Sequence, residues 1–226
     1  MGRLIVLDGL DGSGKSTQLA RLSQWLRDTG VPFREVSFPD YESPASAPVR
    51  MYLAGAFGTD PQAVNAYAAS SFYAVDRYAS YRTGWQADYQ AGTLIVAARY
   101  TTSNAIHQMA KLPPAERDGF LRWLEEYEYD RLGLPKPDRV LFLDVEPAVA
   151  EQMLRVRYQG DESKKDIHER DMAYLRACRE SALYAAEQSS WQVISCTREG
   201  QMRTVEEIGE EIRQSIRPLL NKEEKI

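Results

Sequence analysis

A glycine-rich segment near the N-terminus limits the possible folds more than any other feature. Residues 9–16 read Gly-Leu-Asp-Gly-Ser-Gly-Lys-Ser and match the pattern G-x-x-x-x-G-K-[ST]. An apolar run precedes the segment and a helical pattern follows it, which is the strand–loop–helix setting that such a loop requires. Its glycines let successive backbone N–H groups turn toward phosphate oxygens, and the helix N-terminus adds its positive dipole end. Residues 9–16, hereafter the phosphate loop, therefore predict a phosphate-binding site.

The side chains of this loop are expected to divide between phosphates and a metal ion. Lys15 is predicted to reach the β- and γ-phosphates of a nucleotide, and Thr17 to bond a neighbouring phosphate oxygen. Ser16 would give its hydroxyl to Mg²⁺, and Asp8, at the end of the apolar run, is the second candidate metal ligand. The predicted nucleotide cradle comprises Gly9, Asp11, Gly12, Ser13, Gly14, Lys15, Ser16 and Thr17.

Five short apolar runs, separated by helix-like sequence, predict a parallel β-sheet. They lie at residues 4–7, 33–38, 94–97, 140–143 and 191–195. Nearly continuous apolar runs indicate strands buried on both faces, because a strand with one face in water alternates polar and apolar residues. Helical patterns lie at residues 15–28, 62–90, 114–130, 147–157, 168–188 and 204–220. The sequence therefore predicts an α/β fold, with a five-stranded parallel sheet flanked by helices.

The length of 226 residues fits one α/β domain. We expect that domain to span residues 1–220, with residues 221–226 as a polar tail. Residues 158–167 are polar and contain glycine between two helical patterns. We expect them to form a mobile surface loop, within a lid over residues 155–168.

Charge and composition exclude several classes of protein. A net charge of −5 argues against a protein that coats polymeric nucleic acid, since such a protein needs a basic face. No apolar run approaches the length that spans a bilayer, and the N-terminus lacks the long apolar region of a secretory signal. The two cysteines, Cys178 and Cys196, suit reduced thiols. We therefore expect a cytoplasmic protein that acts on small molecules, with neither membrane nor nucleic-acid polymer as partner.

The phosphate loop alone does not separate kinases, GTPases and ATPases, because all three use the same cradle. A GTPase is expected to carry an N-K-x-D segment that reads guanine, and the sequence has none. A motor-type ATPase is expected to have an apolar strand that ends in an acid. Residues 140–144, Val-Leu-Phe-Leu-Asp, fit that description. The ATPase alternative therefore stays open at this point.

Tyr73 and Arg77 are candidates for binding a flat base. They are four residues apart in a helical pattern, so they share one helix face and place a ring beside a guanidinium. Aromatic stacking on a base contributes about 1–3 kcal/mol, and arginine donors bind carbonyl edges. Without further evidence, the commoner interpretation of such a pair is a tyrosine packed in the core next to an arginine on the surface.

Five segments together resemble the thymidylate kinases over nearly the full length of the chain. They are residues 7–11, residues 38–41 (Phe-Pro-Asp-Tyr), residues 72–77, residues 98–104 and residues 143–145. The resemblance implies a three-layer P-loop kinase fold with a mobile lid. It also implies ATP as phosphoryl donor, dTMP as acceptor in dTTP biosynthesis, Mg²⁺ as the metal ion, and a homodimer.

The resemblance also implies roles in acceptor binding. Tyr73 would stack on thymine, Arg77 would contact a base carbonyl, and Asn104 would bind the remaining pyrimidine edge. The complete set implied for substrate binding is Asp11, Phe38, Pro39, Tyr73, Arg77, Arg99, Ser103, Asn104, His107 and Gln108.

Three of these residues are assigned to the sugar and the acceptor phosphate. By the resemblance, Arg99 grips the phosphate and Asp11 orients the 3′-hydroxyl. His107 would stand where a ribose 2′-hydroxyl collides, which favours deoxy substrates.

The cations that stabilise the transferring phosphoryl group must come from the chain itself and from Mg²⁺. Some thymidylate kinases carry an arginine in the phosphate loop, at the position that Gly12 holds here, whereas others place arginines in a lid. The lid type fits this sequence, with Arg155 and Arg157 at a helix end and Lys164 and Lys165 in the loop. The predicted catalytic set is Lys15, Arg99, Arg157, Arg155 and Asp11.

Ala98 departs from the family pattern, in which an acid precedes the Arg-Tyr pair of residues 99 and 100. The acceptor phosphate is already ionised and needs no general base. The absence of the acid at position 98 is therefore expected to weaken the positioning of the reacting groups more than proton transfer. Three explanations of Ala98 remain: a natural variant that uses Asp8 or Asp11, an introduced substitution, or a nucleotide-binding protein that does not catalyse the reaction.

For the function of the chain as a whole, a deoxynucleoside kinase is the nearest rival enzyme.

Overall fold

The computed structural model describes residues 1–157 and 172–220. One five-stranded parallel sheet runs through it, in the order β2-β3-β1-β4-β5. Its strands are β1 (Leu4–Gly9), β2 (Phe33–Ser37), β3 (Leu94–Ala98), β4 (Arg139–Asp144) and β5 (Gln192–Ser195). The predicted strands and their parallel arrangement are confirmed.

The sheet is apolar at its centre because helices cover both faces. Every residue of β1 is buried, and β1 pairs with β3 on one side and with β4 on the other. The prediction of full burial is wrong for the two edge strands: Arg34 and Glu35 are exposed in β2, and Val193 and Ser195 are exposed in β5. β2 lies at an edge of the sheet and has only β3 as a partner, so part of it faces solvent.

Nine α-helices lie in the described residues. They are α1 (Lys15–Asp28), α2 (Ala47–Leu53), α3 (Ala66–Ser80), α4 (Gln86–Gln90), α5 (Thr102–His107), α6 (Arg117–Glu125), α7 (Pro147–Arg157), α8 (Met172–Gln188) and α9 (Val205–Leu220). A two-stranded antiparallel ribbon, β6 (Thr197–Arg198) with β7 (Gln201–Met202), precedes α9. None of these helices is long and apolar enough to cross a membrane.

Two long helices of the prediction are interrupted by π-helical turns. The pattern over residues 62–90 divides into α3 and α4, joined by a π-helix at Tyr81–Trp85. The pattern over residues 114–130 contains α6 followed by a π-helix at Glu126–Arg131. Each extra residue in a π-turn rotates the side chains that follow it. In this way the first turn buries Trp85 under the sheet and the second buries Glu128.

The fold brings the ends of three neighbouring strands together at one edge of the sheet. The phosphate loop follows β1, residues 38–41 follow β2, and residues 99–104 follow β3 into α5. The short helices α2 and α5, which the sequence analysis did not predict, border this region. In open parallel sheets, ligands bind outside the carboxyl ends of the strands. This edge therefore locates the candidate site.

Candidate active site

One cleft at this edge, with a volume of about 700 Å³, contains most of the predicted site residues. The predicted residues that line it are Asp11, Gly12, Ser13, Gly14, Lys15, Ser16, Thr17, Phe38, Pro39, Tyr73, Arg77, Arg99, Ser103, Asn104, His107 and Gln108. Tyr41, Leu53 and Met153 also line it. Gly9, Asp8 and Arg155 are not among the lining residues. The donor and acceptor residues thus share a single cavity.

The phosphate loop adopts a backbone that only glycine takes easily. Gly12 and Gly14 have φ values of 83° and 82°. A Cβ atom on Gly12 would lie 2.7 Å from the carbonyl oxygen of Ala150 in α7. An arginine at position 12 would therefore meet both backbone strain and a clash with α7. In this structure, the packing against α7 therefore disfavours an arginine at position 12.

Lys15 lies folded against the loop that it is predicted to serve. Its Nζ donates to the carbonyl oxygens of Gly9 and Leu10, each at 2.7 Å, and lies 3.8 Å from Asp11. The side chain is therefore held over the loop, where incoming phosphate oxygens would compete for its protons.

The carboxylate of Asp8 is completely buried and ties the loop to α5. It accepts from the backbone N–H of Gly9 at 2.8 Å, and from the hydroxyls of Thr102 and Ser103 at 2.6 and 2.7 Å. These three donors occupy most of the acceptor capacity of a carboxylate. The contacts fit a residue that fixes the loop, and metal ligation by Asp8 stays a prediction.

The oxygen atoms that the cleft offers suit a Mg²⁺ ion whose ligands are mainly nucleotide phosphates. The hydroxyl of Ser16 is exposed in the loop and hydrogen-bonds no described residue. Within residues 1–157 and 172–220, no group of three or more histidine, cysteine, aspartate or glutamate side chains could hold a metal ion. Mg²⁺ commonly takes one or two protein oxygens and fills its shell with phosphates and water, which matches this arrangement.

Arg99 is the centre of a charged cluster in the cleft. Its guanidinium donates to Asp11 at 2.6 Å and to Nε2 of His107 at 3.0 Å, and it lies 3.9 Å from Asp8. Because arginine has no acceptor, Nε2 of His107 is the acceptor in this hydrogen bond. Arg99 has a φ of 62°, a left-handed conformation that is uncommon for residues other than glycine.

The charges in this cluster stabilise one another. Burial by itself disfavours the ionised form of Asp11, but the positive charges of Arg99 and Lys15 outweigh it and hold the pKa of Asp11 well below its usual range. Burial likewise disfavours charge on Arg99, yet Asp11 and Asp8 raise the pKa of Arg99. The cleft therefore carries a fixed cation flanked by two carboxylates.

Tyr73 lies in the same cleft as Arg77, and neither is an ordinary surface residue. The ring of Tyr73 packs edge-on against that of Tyr52, with centroids 6.4 Å apart and an interplanar angle of 87°. Arg77 is only 1% exposed, so the alternative of a surface charge is wrong. Its Nε and Nη2 donate to Glu128 at 2.7 and 2.6 Å, and its Nη1 donates to the carbonyl oxygen of Tyr100 at 3.2 Å.

Glu128 is not among the residues predicted from the sequence, although it contacts two predicted site residues. Besides Arg77, its carboxylate accepts from the amide of Asn104 at 2.9 Å. In the sequence it belongs to the acidic stretch of residues 125–130, which has the composition of a solvated helix face. A buried arginine needs a counter-charge, and this need could have pointed to Glu128. The sequence does not show it, because the burial of Arg77 is known only from the structure.

The lid arginines are described only in part. Arg155 is exposed on α7 and pairs with Glu151, one turn earlier, at 2.7 Å. The side chain of Arg157, together with Lys164, Lys165 and the rest of the predicted loop, lies outside the described residues. From α7, Met153 reaches the cleft.

Asp144, the residue that kept the ATPase alternative open, is engaged elsewhere. Its two carboxylate oxygens accept from Nε and Nη2 of Arg179 in α8, at 2.7 and 2.8 Å. It does not line the cleft. The acid at the end of β4 therefore stabilises the packing of α8 on the sheet, and it offers no support for the ATPase alternative.

Lys111 supports the acceptor side and gives the stability of the protein a pH dependence. It donates to the hydroxyl of Tyr52 and to the carbonyl oxygen of Val64, both at 2.9 Å. Burial lowers the pKa of Lys111 from 10.5 to about 8. Between these values the unfolded chain keeps the proton that the folded chain has lost, so this residue makes stability rise with pH.

We expect Lys111→Met to remove that rise. Chemical unfolding gives the free energy of unfolding of both proteins between about pH 8 and pH 10.5. As the pH rises through this range, the native protein should gain stability relative to Lys111→Met. Lys136→Met, at an exposed position, is the control and should follow the native curve. A pH-independent difference for Lys111→Met would show that its ammonium group is not penalised by burial.

Comparison with known proteins agrees with this geometry. A family model described as thymidylate kinase matches residues 7–208. A thymidylate kinase from Mycobacterium tuberculosis is 32% identical over 184 residues, which are 80% of this chain and 84% of that one. One from Arabidopsis thaliana is 31% identical over 188 residues, 75% of this chain and 66% of that one.

The fold also matches a solved structure. The structure of a thymidylate kinase from Candida albicans superimposes with a TM-score of 0.69 at 21% identity, covering 96% of this chain and 92% of that one. At this identity the match concerns the fold, and it agrees with the α/β architecture described above.

Proposed function

The chain belongs to the thymidylate kinase family, and from that premise we propose that it transfers the γ-phosphoryl group of ATP to dTMP, giving ADP and dTDP. The observation that carries the proposal is the single cleft in which the phosphate loop faces the pair of Tyr73 and Arg77. One end suits a polyphosphate, the other suits a flat base, and Arg99 provides a fixed cation in the same cavity. A donor and a nucleotide acceptor are thus accommodated together.

The proposed mechanism relies on positioning and charge. Backbone N–H groups of the phosphate loop and Lys15 hold the donor phosphates, while Arg99 holds the acceptor phosphate beside them. Mg²⁺, when bound, neutralises charge on the β- and γ-phosphates, and Ser16 is its proposed protein ligand. The attacking oxygen belongs to an ionised phosphate, so no side chain has to remove a proton from it. His107 is proposed to exclude a ribose 2′-hydroxyl.

Further properties that the family implies are proposals for this chain. Residues 1–220 would act as one kinase domain, whose lid at about 155–168 brings Arg155 and Arg157 to the phosphoryl group. Asp8 or Asp11 would take over part of the role of the missing acid at position 98. A homodimer in the cytoplasm is proposed as well, and the two buried free thiols suit a reducing compartment.

A coupled assay of ADP formation with dTMP or thymidine as acceptor tests the proposal against its nearest rival. A deoxynucleoside kinase phosphorylates an uncharged sugar hydroxyl, whereas Arg99 offers its charge to an acceptor that already bears a phosphate. We expect ADP formation with dTMP and background rates with thymidine. The reverse preference would assign the chain to the deoxynucleoside kinases.

Restoring an acid at position 98 is expected to speed the reaction. Ala98 lines the cleft next to Arg99, so a carboxylate there would help to position the reacting groups. We predict that Ala98→Asp raises kcat by about 10-fold, equivalent to about 1.4 kcal/mol, with little change in KM for dTMP. Ala98→Asn, of the same size without charge, is the matched control. An unchanged kcat in Ala98→Asp would mean that this site works fully with alanine.

A further inference from the structure

One buried carboxylate, that of Glu128, binds both side chains that face the base site. Its Oε1 accepts from Arg77 at 2.6 Å and from Asn104 at 2.9 Å, and its Oε2 accepts from Arg77 at 2.7 Å. Glu128 itself is 0% exposed, and its two partners are each 1% exposed. Three charge-assisted bonds among these buried side chains leave them little freedom to rotate.

The contacts of Asn104 fix which end of its amide faces the cleft. Its Nδ2 donates to Glu128 and to the carbonyl oxygen of Ser70, at 2.9 and 3.2 Å. Both partners are acceptors, so the opposite orientation would set the amide oxygen against two oxygens. Neither amide proton is left for a ligand, and no described residue hydrogen-bonds the amide oxygen. Asn104 therefore offers the cleft an acceptor.

Arg77 is fixed with the opposite polarity. Of its five N–H groups, two donate to Glu128 and one donates to the carbonyl oxygen of Tyr100. The remaining two protons, one on Nη1 and one on Nη2, are available beside the cleft that Arg77 lines. An arginine has no acceptor under any condition, so this position offers only donors.

We propose that Glu128 is a positioning residue that sets the pyrimidine specificity of the site, an inference that rests on the function proposed above. It holds an acceptor at Asn104 and a donor at Arg77. Thymine and uracil match this pair, because they present an N3–H donor next to the O4 acceptor. Cytosine presents the reverse, an N3 acceptor next to an amino donor, and so meets unpaired polar groups at both positions. Hydrogen-bonding groups of fixed polarity discriminate between such bases far more strongly than an apolar pocket does.

Glu128→Gln is the variant that tests this role. Glutamine has one side-chain oxygen where Glu128 uses two, so at least one of the three bonds to Arg77 and Asn104 must be lost. We expect the ratio of kcat/KM for dTMP to that for dCMP to fall by about 10- to 100-fold. Most of the change should appear in KM, since Glu128 does not touch the phosphates. The exposed neighbour Glu125→Gln is the matched control and should keep the native ratio.

A purely structural role for Glu128 predicts a different result, namely lower stability with an unchanged ratio. Measuring the Tm and the affinity for ATP of each variant separates the two, because the donor site lies in a different part of the cleft. If Glu128→Gln does not fold, Glu128→Asp keeps the counter-charge of Arg77 but is one methylene too short to hold all three bonds. A folded variant of either kind with the native ratio would overturn the proposal.

Equilibrium binding of dTMP and dCMP, measured by calorimetry without ATP, makes this test independent of turnover. Native protein that prefers dTMP, with a preference that Glu128→Gln loses, supports the role of Glu128 even if phosphoryl transfer is slow. If the native protein binds dTMP but forms no dTDP, the proposed function fails and the specificity inference still stands. If the preference survives in Glu128→Gln, the inference fails and the proposed function is untouched.

Discussion

Arg99→Met is expected to lower kcat/KM for dTMP by about 10³-fold, equivalent to about 4 kcal/mol of transition-state stabilisation. Arg99 is the cation that joins Asp11, His107 and Asp8 in the cleft. Removing it takes a counter-charge away from both carboxylates, and Asp11 is left with Lys15 at 3.8 Å, at the place where we propose that the anionic acceptor binds. Loss of the attraction and gain of repulsion therefore act in the same direction, and both KM and kcat should suffer.

Steady-state kinetics across dTMP concentrations measures this effect, with Arg131→Met as the matched control. Arg131 is exposed and pairs only with Glu126 among the described residues, so its loss should leave the kinetics within about twofold of the native values. A decrease of less than about tenfold for Arg99→Met would show that another residue grips the acceptor phosphate.

Lys15→Met is expected to lower kcat by about 10²- to 10³-fold while dTMP binding is retained. The ammonium group is held over the phosphate loop by Gly9 and Leu10, on the donor side of the cleft. Its charge acts on oxygens that become more negative during transfer, so its loss is felt mainly in the transition state. Methionine keeps much of the apolar stem, which limits structural disturbance.

Comparing kcat with the calorimetric Kd for dTMP separates chemistry from acceptor binding in this variant. Lys136→Met, an exposed substitution with the same change of charge, is the control. If Lys15→Met kept native turnover, the loop would hold phosphates by its backbone alone and Lys15 would have no role in transfer.

The parts of the fold that the sequence predicted are those in which local pattern and tertiary environment agree. The phosphate loop combines glycines at strained backbone positions with a flanking strand and helix, and all of these signals fall within about 25 residues. The central strands are apolar throughout because both faces are covered. Tyr73 and Arg77 share a helix face as their spacing predicted, and they line the same cleft.

The parts that the sequence did not predict depend on distant contacts. Glu128 meets Arg77 across 51 residues and Asn104 across 24, and its own neighbourhood resembles a solvated face. The π-turn that directs it inward breaks the 3.6-residue period on which the helix prediction relied. By its position after an apolar run, Asp144 fits the acid of an ATPase strand, whereas in the structure it pairs with Arg179, 35 residues away. In each case a partner far away in the chain decides the role.

The most direct test of the central claim follows dTDP formation by the native chain over many turnovers, with ATP, Mg²⁺ and dTMP. Chromatographic separation of the nucleotides gives the amount of dTDP formed per protein chain. We expect a large molar excess of dTDP over protein, at a rate that depends on both ATP and dTMP. Binding of both nucleotides with less than one dTDP formed per chain would contradict it, and would make the chain a nucleotide-binding member of the family without its chemistry.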